Sequence, residues 1–205
     1  MNFIQLIPSL LENYKNSSSY WSGSYFEEVV KLSTDGKGKF GEQLIFELIK
    51  EHTEFPVQWD EDSNTNNGDG IYDLWWVENS GTKKRVEVKI SGRTVSNGRA
   101  TGWQHENIYY TDNKWDNVIF MDYDANNIVF ITIVSYDQIV TDEVIDLTLF
   151  GKSAHKRKNE EDKAKVDFSM KSIHNGIKNG VTFMLDMEDP NFEGLSKFFR
   201  RTLGE

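Results

Sequence analysis

The hydrophobic pattern changes its period part-way along the chain, and this change sets the class of fold. Between Gly38 and His52, apolar residues recur every three or four positions, as on one face of an amphipathic helix. From Arg85 to Ile90, apolar residues instead alternate with charged ones, as in a strand with one buried face. The sequence therefore predicts a helix followed by paired strands, in a mixed α and β fold.

Turn residues mark off the other predicted elements. The segments 71–77 and 84–90 are expected to pair as an antiparallel hairpin about a turn at Gly81. Further strands are predicted at 55–60, 117–123, 127–134 and 180–187, and further helices at 3–14, 25–32, 136–140 and 194–203. The remaining predictions are loops at 61–70 and 91–102, a helical or irregular stretch at 103–111, and a charged loop or helix at 152–165.

Composition excludes several kinds of site. The 205 residues include 38% hydrophobic and 13% aromatic side chains, enough for one sizeable core. No apolar run approaches the roughly 18 residues of a spanning helix, and the N-terminal segment lacks a secretory signal pattern, so a soluble cytoplasmic protein with no membrane partner is expected. The absence of cysteine excludes disulfides, thiolate zinc sites and cysteine nucleophiles. A bound metal would be held by oxygen atoms or by the four histidines.

The charge is segregated along the chain. The net charge is −10, but the segment 81–102 carries six basic residues against Glu87 alone, and the segment 42–78 carries ten acidic residues against one basic residue. Such blocks are typical of solvated faces. They also suit a protein that binds phosphates around a carboxylate-lined metal site.

Three charged side chains are predicted to meet on the hairpin. Glu87 and Lys89 lie two residues apart on one strand and therefore on one face, and Asp73 lies near the start of the neighbouring strand. Two carboxylates can hold Mg²⁺, and bound Mg²⁺ polarises a phosphate and lowers the pKa of a water. A lysine beside them can orient that water or stabilise developing charge. The trio suits phosphodiester hydrolysis, although an ordinary salt-bridged hairpin face has the same composition.

These residues and their context resemble the PD-(D/E)XK nuclease superfamily, which includes many type II restriction endonucleases. The resemblance spans residues 36–134 and rests on four features: the segment GKFGE at 38–42 opening a helix, Asp73 after an Asn- and Gly-rich loop, the segment VEVK at 86–89 followed by Ser91 and Gly92, and a later pair of strands. It implies an α/β (α+β) fold with a restriction-endonuclease-like core. In such a core, helices flank a central mixed sheet of four to five strands.

The resemblance also implies roles for individual residues. It makes Asp73 and Glu87 the metal ligands, Lys89 the catalytic lysine, and Glu42 the acid that the first core helix contributes to the site. Mg²⁺ is the implied cofactor, with Mn²⁺ as a substitute.

The chain departs from the family pattern at one position and leaves two choices open. Tyr72 stands where the family name has proline. Asp69 is an alternative to Asp73 if the strand begins sooner. Glu47 is the competing acid of the helix, but Glu42 is favoured because it is nearer to the glycine-rich helix start.

Other side chains are candidates for contact with DNA. Arg93 and Arg99 follow the catalytic strand, close to where a scissile phosphate would lie. The resemblance places Gln104 on a helix that approaches the site. In the tail, Lys156 and Arg157 belong to a basic cluster that is a candidate for entering a groove.

Three further polar residues have weaker claims to a role. A lone histidine such as His105 is more often a hydrogen-bonded structural residue than a base, and a metal mechanism does not need one. Asn175 and Asn179 have the chemistry to read adenine, but nothing in the sequence selects them.

Together these features predict a single nuclease domain over 1–205, with an N-terminal helical cap at 1–35, a catalytic core at 36–140 and a C-terminal extension at 141–205 that holds DNA-recognition elements. The predicted function is a Mg²⁺-dependent endodeoxyribonuclease of type II restriction endonuclease type, acting on double-stranded DNA as a homodimer. The alternatives are another nuclease of the superfamily, such as a nicking subunit, a junction resolvase or a phage or defence nuclease, a non-catalytic DNA- or protein-binding module on the same fold, or an acidic interaction protein.

Overall fold

The computed structural model describes residues 20–59, 72–78, 80–96, 99–109, 115–141, 144–152, 155–156 and 163–204. The helices in these ranges are α1 (Thr34–His52), α2 (Tyr136–Ile139), α3 (Met170–Lys178) and α4 (Phe192–Leu203), with 3₁₀ helices at Val29–Lys31 and Thr148–Phe150. The strands are β1 (Gln58–Trp59), β2 (Leu74–Val77), β3 (Lys83–Gly92), β4 (Val95–Ser96), β5 (Arg99–Ala100), β6 (Trp103–Tyr109), β7 (Asn117–Tyr123), β8 (Ile128–Ser135), β9 (Val140–Thr141), β10 (Val144–Ile145), β11 (His155–Lys156), β12 (Lys163–Phe168) and β13 (Thr182–Asp186).

A six-stranded mixed sheet in the order β1-β2-β3-β7-β8-β13 divides the interior into two hydrophobic cores. Strands β3 and β7 are parallel, and the other neighbours are antiparallel. Along the buried strand β7, Ile119 and Met121 pack into the first core, with α1 and α4, whereas Val118 and Phe120 pack into the second, with β6, β12 and α3. The predicted mixed sheet flanked by helices is thereby confirmed. It has six strands rather than four or five because β1 and β13 extend it at its two edges.

Several elements lie where the hydrophobic period predicts them. The antiparallel β2–β3 hairpin, strands β7, β8 and β13, and helices α1, α2 and α4 are all present. Gly81, in the hairpin turn, has a φ of +84°, a conformation that glycine adopts without strain. Helix α1 begins earlier than predicted, because the Ser33 hydroxyl caps it by accepting a hydrogen bond from the backbone N–H of Gly36 at 3.1 Å.

The helix predicted at 25–32 is wrong. The segment forms turns and the single 3₁₀ helix Val29–Lys31, while the buried side chains of Trp21 and Phe26 anchor it on the first core. The adjacent β-branched residues Val29 and Val30 also disfavour a longer helix. The helix predicted at 3–14 and the loop predicted at 61–70 lie outside the described residues.

The prediction for 103–111 is also wrong, because this segment forms strand β6. Strand β6 pairs antiparallel with β12, which lies within a segment predicted partly as a charged loop or helix. The two strands approach closely at Gly102, where an added Cβ would collide with the carbonyl oxygen of Phe168. The predicted loop at 91–102 likewise contains a small hairpin of β4 and β5. Helix α3 was not predicted.

Candidate active site

The candidate site lies where strand β2 stops pairing with β3. The backbone N–H of Asp73 still donates to the carbonyl of Val86, at 2.9 Å. The next hydrogen bond goes to a side chain instead, since the backbone N–H of Val88 donates to Oδ2 of Asp73 at 2.6 Å. Asp73 therefore ends the ladder and holds its carboxylate against β3.

Helix α1 places a second acidic residue, Glu42, near Asp73. A Cβ added at Gly41 would lie 2.7 Å from Cβ of Ile90, so only glycine lets the helix approach β3 this closely. The next residue, Glu42, lines the cleft between helix and strand, and Nε1 of Trp59 donates to its carboxylate at 3.4 Å. The exposed alternative Glu47 does not line this cleft, and Asp69 lies outside the described residues.

Strand β3 completes the group. Continuing the β2–β3 register by one residue from Leu74 and Val86 places Asp73 opposite Glu87, and opposed residues share one face of a sheet. Glu87 is buried, with 5% of its surface exposed, and its Oε1 forms an ion pair with the ammonium of Lys89. The structure therefore brings together all four residues predicted to be catalytic, on the wall of a cleft of about 480 Å³ or directly beside it.

The carboxylates of this cluster disfavour one another's ionisation. Burial raises the pKa of Asp73 well above its ordinary value, and the charges of Glu87 and Glu42 raise it further, against the hydrogen bond from Val88. Burial also raises the pKa of Glu87, although Lys89 opposes this rise. The carboxylates of Asp73, Glu87 and Glu42 therefore all interact with the ammonium of Lys89, in a site that is partly shielded from water.

The lysine is held in its charged form. Burial alone would lower the pKa of Lys89, but the carboxylates of Glu87, Asp73 and Glu42 outweigh that effect and raise its pKa. A lysine that keeps its proton acts as a hydrogen-bond donor and a positive charge, rather than as a base.

The donor set fits a hard divalent cation in part. Oxygen atoms of Asp73 and Glu87 are the ligands that Mg²⁺ prefers, and a cation would oppose the burial and the repulsion between carboxylates that raise both pKa values. Within the described residues, no group of three or more histidine, aspartate or glutamate side chains is gathered closely enough to hold a metal ion. Mg²⁺ commonly takes one or two carboxylates and completes its shell with water and substrate phosphate. The site matches this pattern, in which the protein supplies only part of the metal's coordination shell.

The residues predicted to contact DNA lie in different surroundings. Gln104 lines the cleft, but from strand β6 and not from the helix that the resemblance implied. Arg99 is exposed on β5. Lys156 is on β11, and Arg157 lies outside the described residues.

Arg93 does not face the cleft as a free cation. Its side chain is only 17% exposed, pairs with buried Asp124 at 3.7 Å, and lies over the ring of Trp103 at 5.2 Å. Its backbone N–H donates to the carbonyl of Tyr123. These contacts give Arg93 structural partners where β3 and β7 end, and its contact with phosphate stays a prediction.

The three weaker candidates also have structural partners. His105 lines the cleft, but it is buried and its Nε2 lies 2.8 Å from Oδ1 of Asp122, as expected for a structural histidine. The amide nitrogens of Asn175 and Asn179 donate to the carbonyls of Phe150 and Leu149. Neither asparagine lines the cleft.

Sequence reasoning missed several residues that line the cleft, among them three with charged or amide side chains. Lys37 lies in the first turns of α1, and Glu106 and Asn107 follow Gln104 on β6. The glycine-rich start of the helix was a signal for Lys37. No signal was available for Glu106 and Asn107, because β6 itself was not predicted.

Comparisons with known proteins give one distant structural likeness. No protein-family model matches the chain, and no curated protein matches it. Among solved structures, the bacterial homing endonuclease I-Ssp6803I is similar, with 17% sequence identity and a TM-score of 0.34, over 52% of this chain and 72% of that one. A TM-score this low does not assign a function, which has to rest on the site itself. Among the described residues, no helix has the length and apolar character needed to cross a bilayer.

Proposed function

We propose that this protein is a Mg²⁺-dependent endodeoxyribonuclease that hydrolyses phosphodiester bonds of double-stranded DNA, within the PD-(D/E)XK superfamily and of type II restriction endonuclease type. The observation that supports the proposal is the convergence of Asp73, Glu87 and Lys89 at the edge of one cleft, with Glu42 facing them from α1. This is a donor set for a hard cation beside a fixed positive charge.

Each residue has a distinct part in the proposed reaction. Asp73 and Glu87 would hold Mg²⁺, which when bound supplies a polarised phosphate and a more acidic water. Lys89 donates a hydrogen bond to the attacking water or to a phosphate oxygen, and its charge opposes the negative charge that develops there. Glu87 keeps Lys89 charged and in place through their ion pair. Glu42 adds negative charge on the wall of the cleft.

Cleavage of a supercoiled plasmid tests the proposal. With Mg²⁺, the protein is expected to nick and then linearise the plasmid, and EDTA is expected to stop the reaction. Lys89→Ala should lower the rate by about 100-fold or more, since it removes a positioned donor. Lys84→Ala is the matched control, because Lys84 lies on the same strand and pairs with Glu78 at 3.6 Å outside the cleft. Undiminished cleavage by Lys89→Ala would overturn the mechanism.

Thermal unfolding gives a second test that does not depend on turnover. Mg²⁺ bound to the folded state raises the midpoint of unfolding by mass action. The rise is expected in the wild type and should be absent in Asp73→Asn, which lacks one ligand charge. An equal rise in both proteins would show that the ion binds elsewhere.

The direct contact between Lys89 and Glu87 favours a second candidate, a non-catalytic DNA-binding module on the same fold. In that case the ion pair is a structural feature of the hairpin face. The two candidates differ in the plasmid assay, because a module of this kind would shift DNA in a gel and leave it uncut with Mg²⁺ or Mn²⁺.

A further inference from the structure

Strands β6 and β12 form a two-stranded antiparallel ribbon beside the cleft, and we call it the β6–β12 ribbon. Its register pairs Phe168 with Trp103 and Asp167 with Gln104 at one end, and Ala164 with Ile108 towards the other. A ribbon of this width is one of the two elements that the major groove of B-form DNA admits.

An irregularity in the ribbon changes which side chains face outwards. The register shifts between Ala164 and Val166, and Asn107 has a φ of +57°, as is common for asparagine at such a position. Strict alternation after exposed Gln104 and Glu106 would expose Ile108 and bury Asn107. Instead, Asn107 is exposed and Ile108 is buried, because the bulge shifts the alternation by one residue. Three polar side chains therefore face outwards within four positions.

The inner face of the ribbon fixes it to the central sheet. The indole N–H of Trp103 donates to the carbonyl of Tyr123 at 2.9 Å, and His105 is hydrogen-bonded to Asp122 on β7. Val166 and Phe168 are buried in the second core. The outward side chains are thus presented from a rigid support, which a discriminating site requires.

The outward side chains line the same cleft as the charged cluster. Gln104, Glu106 and Asn107 form one part of its wall, and Asp73 and Lys89 form another. A substrate held at Lys89 therefore lies alongside the ribbon.

The charge of the outward face does not suit phosphate. Glu106 pairs with Lys165 across the ribbon at 3.2 Å, and exposed Asp167 lies opposite Gln104. Carboxylates repel the DNA backbone, but a carboxylate accepts from the amino group of cytosine, and an amide pairs with the edge of adenine. The chemistry of this face matches base edges.

From this geometry we infer that the β6–β12 ribbon enters the major groove and that Gln104, Glu106 and Asn107 read base edges next to the scissile phosphate. The inference rests on the proposed function and extends it, because it assigns the residues that set sequence preference. A-form RNA duplexes have a major groove too narrow for such a ribbon, so B-form DNA is the expected ligand.

Sequence preference is the property to measure. A pool of duplexes with randomised sequence is cut with Mg²⁺ and the ends are sequenced, and the same pool is selected for binding with Ca²⁺ in place of Mg²⁺. The variants are Gln104→Ala, Glu106→Gln and Asn107→Gly, the last chosen because glycine tolerates the positive φ. Asn126→Ala is the control, since Asn126 is exposed and lies outside the cleft. Circular dichroism and thermal unfolding identify any variant that fails to fold.

Each ribbon variant is expected to lose roughly tenfold or more of its discrimination at one or two base pairs, with the control unchanged. Cleavage whose preferences are identical in wild type and folded ribbon variants, or that falls equally on all sequences, would overturn the inference and leave the nuclease proposal standing. Selective binding that the variants alter, without any cleavage, would support the ribbon and overturn the nuclease. Failure of the wild type to bind any duplex would overturn both.

Discussion

The carboxyl group of Asp73 is subject to two opposing influences. Burial and the charges of Glu87 and Glu42 raise its pKa, whereas the hydrogen bond from Val88 lowers it, and the net direction is upwards. A carboxyl group with a raised pKa in the folded state stabilises the fold most at low pH. That contribution is lost as the pH rises from its ordinary unfolded value towards the raised one. Ionisation of Asp73 in the folded state therefore costs stability, and a bound cation would offset that cost.

Asp73→Asn is expected to raise the thermal midpoint in EDTA at about pH 7.5, because the amide removes a buried charge and its oxygen still accepts from Val88. The difference from wild type should shrink as the pH falls through about 4, because the carboxyl group of the unfolded chain then also becomes protonated. Calorimetry over this range is the measurement. Glu47→Gln, on the exposed side of α1, serves as the control and should change little. A lower midpoint for Asp73→Asn at every pH would contradict this account.

Arg93 and Arg99 lie in one basic segment but are expected to behave differently. Removing Arg93 leaves the 5%-exposed side chain of Asp124 without its ion-pair partner, and breaking such a pair costs about 3–5 kcal/mol of stability when it is fully buried. The remaining exposure of Arg93 places the expected loss below that range. Arg99 is exposed, and we expect its truncation to affect DNA binding instead.

The contrast is measured with Arg93→Ala and Arg99→Ala. Urea unfolding should show a loss for the first and almost none for the second. In DNA binding, the slope of affinity against salt should decrease by about one for Arg99→Ala if its guanidinium contacts a phosphate. The reverse pattern would support the phosphate contact that the sequence predicts for Arg93.

At the scale of elements, the approach of α1 to β3 depends on Gly41. Alanine in mid-helix ordinarily gains up to about 1 kcal/mol over glycine. Here the added Cβ would lie 2.7 Å from Ile90, and overpacking of this kind costs about 1–3 kcal/mol. The cost outweighs the gain, so Gly41→Ala should destabilise the protein by on the order of 1 kcal/mol and displace Glu42 from the cleft.

Gly38→Ala is the matched variant for that comparison. A Cβ at Gly38 meets only the carboxylate of Glu42, at 3.8 Å, which is ordinary contact. The substitution should leave the free energy of unfolding unchanged or raise it, because only the higher helix propensity of alanine then contributes. Denaturant unfolding of both variants checks the pair, and equal effects at the two glycines would show that close packing on β3 is not the cause.

The elements differ in how much of them the sequence reveals. The β2–β3 hairpin was predictable because its apolar and charged residues alternate and its turn contains Gly81, and this pattern also brings Asp73, Glu87 and Lys89 together. Strand β6 was not predictable, because the inward position His105 is polar and is buried only through Asp122 on another strand. A bulge at Asn107 then breaks the alternation, and the partner strand β12 lies more than 50 residues away. The charged cluster could therefore be predicted from the local sequence pattern. The ribbon could not, because it forms only through pairing between strands that are distant in the sequence.

For the whole molecule, the described residues of one chain form one cluster of Lys89 with Asp73, Glu87 and Glu42. The two strands of a DNA duplex run in opposite directions, so a second cut in the same duplex calls for a second cleft related by a two-fold axis. The proposed homodimer supplies this arrangement, and each subunit then cuts one strand of a symmetric site.

Mixing wild type with Lys89→Ala tests the dimer directly. If subunits pair and exchange, mixed dimers keep one working cleft, and plasmid carrying a cleavage site should accumulate as nicked circles while linear product falls. Equal amounts of the two proteins should give about half mixed dimers by random pairing. The control is a mixture with Lys84→Ala, whose cleft residues are intact, so the linear product should be unchanged. If the nuclease acts as a monomer, Lys89→Ala should act only as a competitor for DNA, slowing both products alike without changing their ratio.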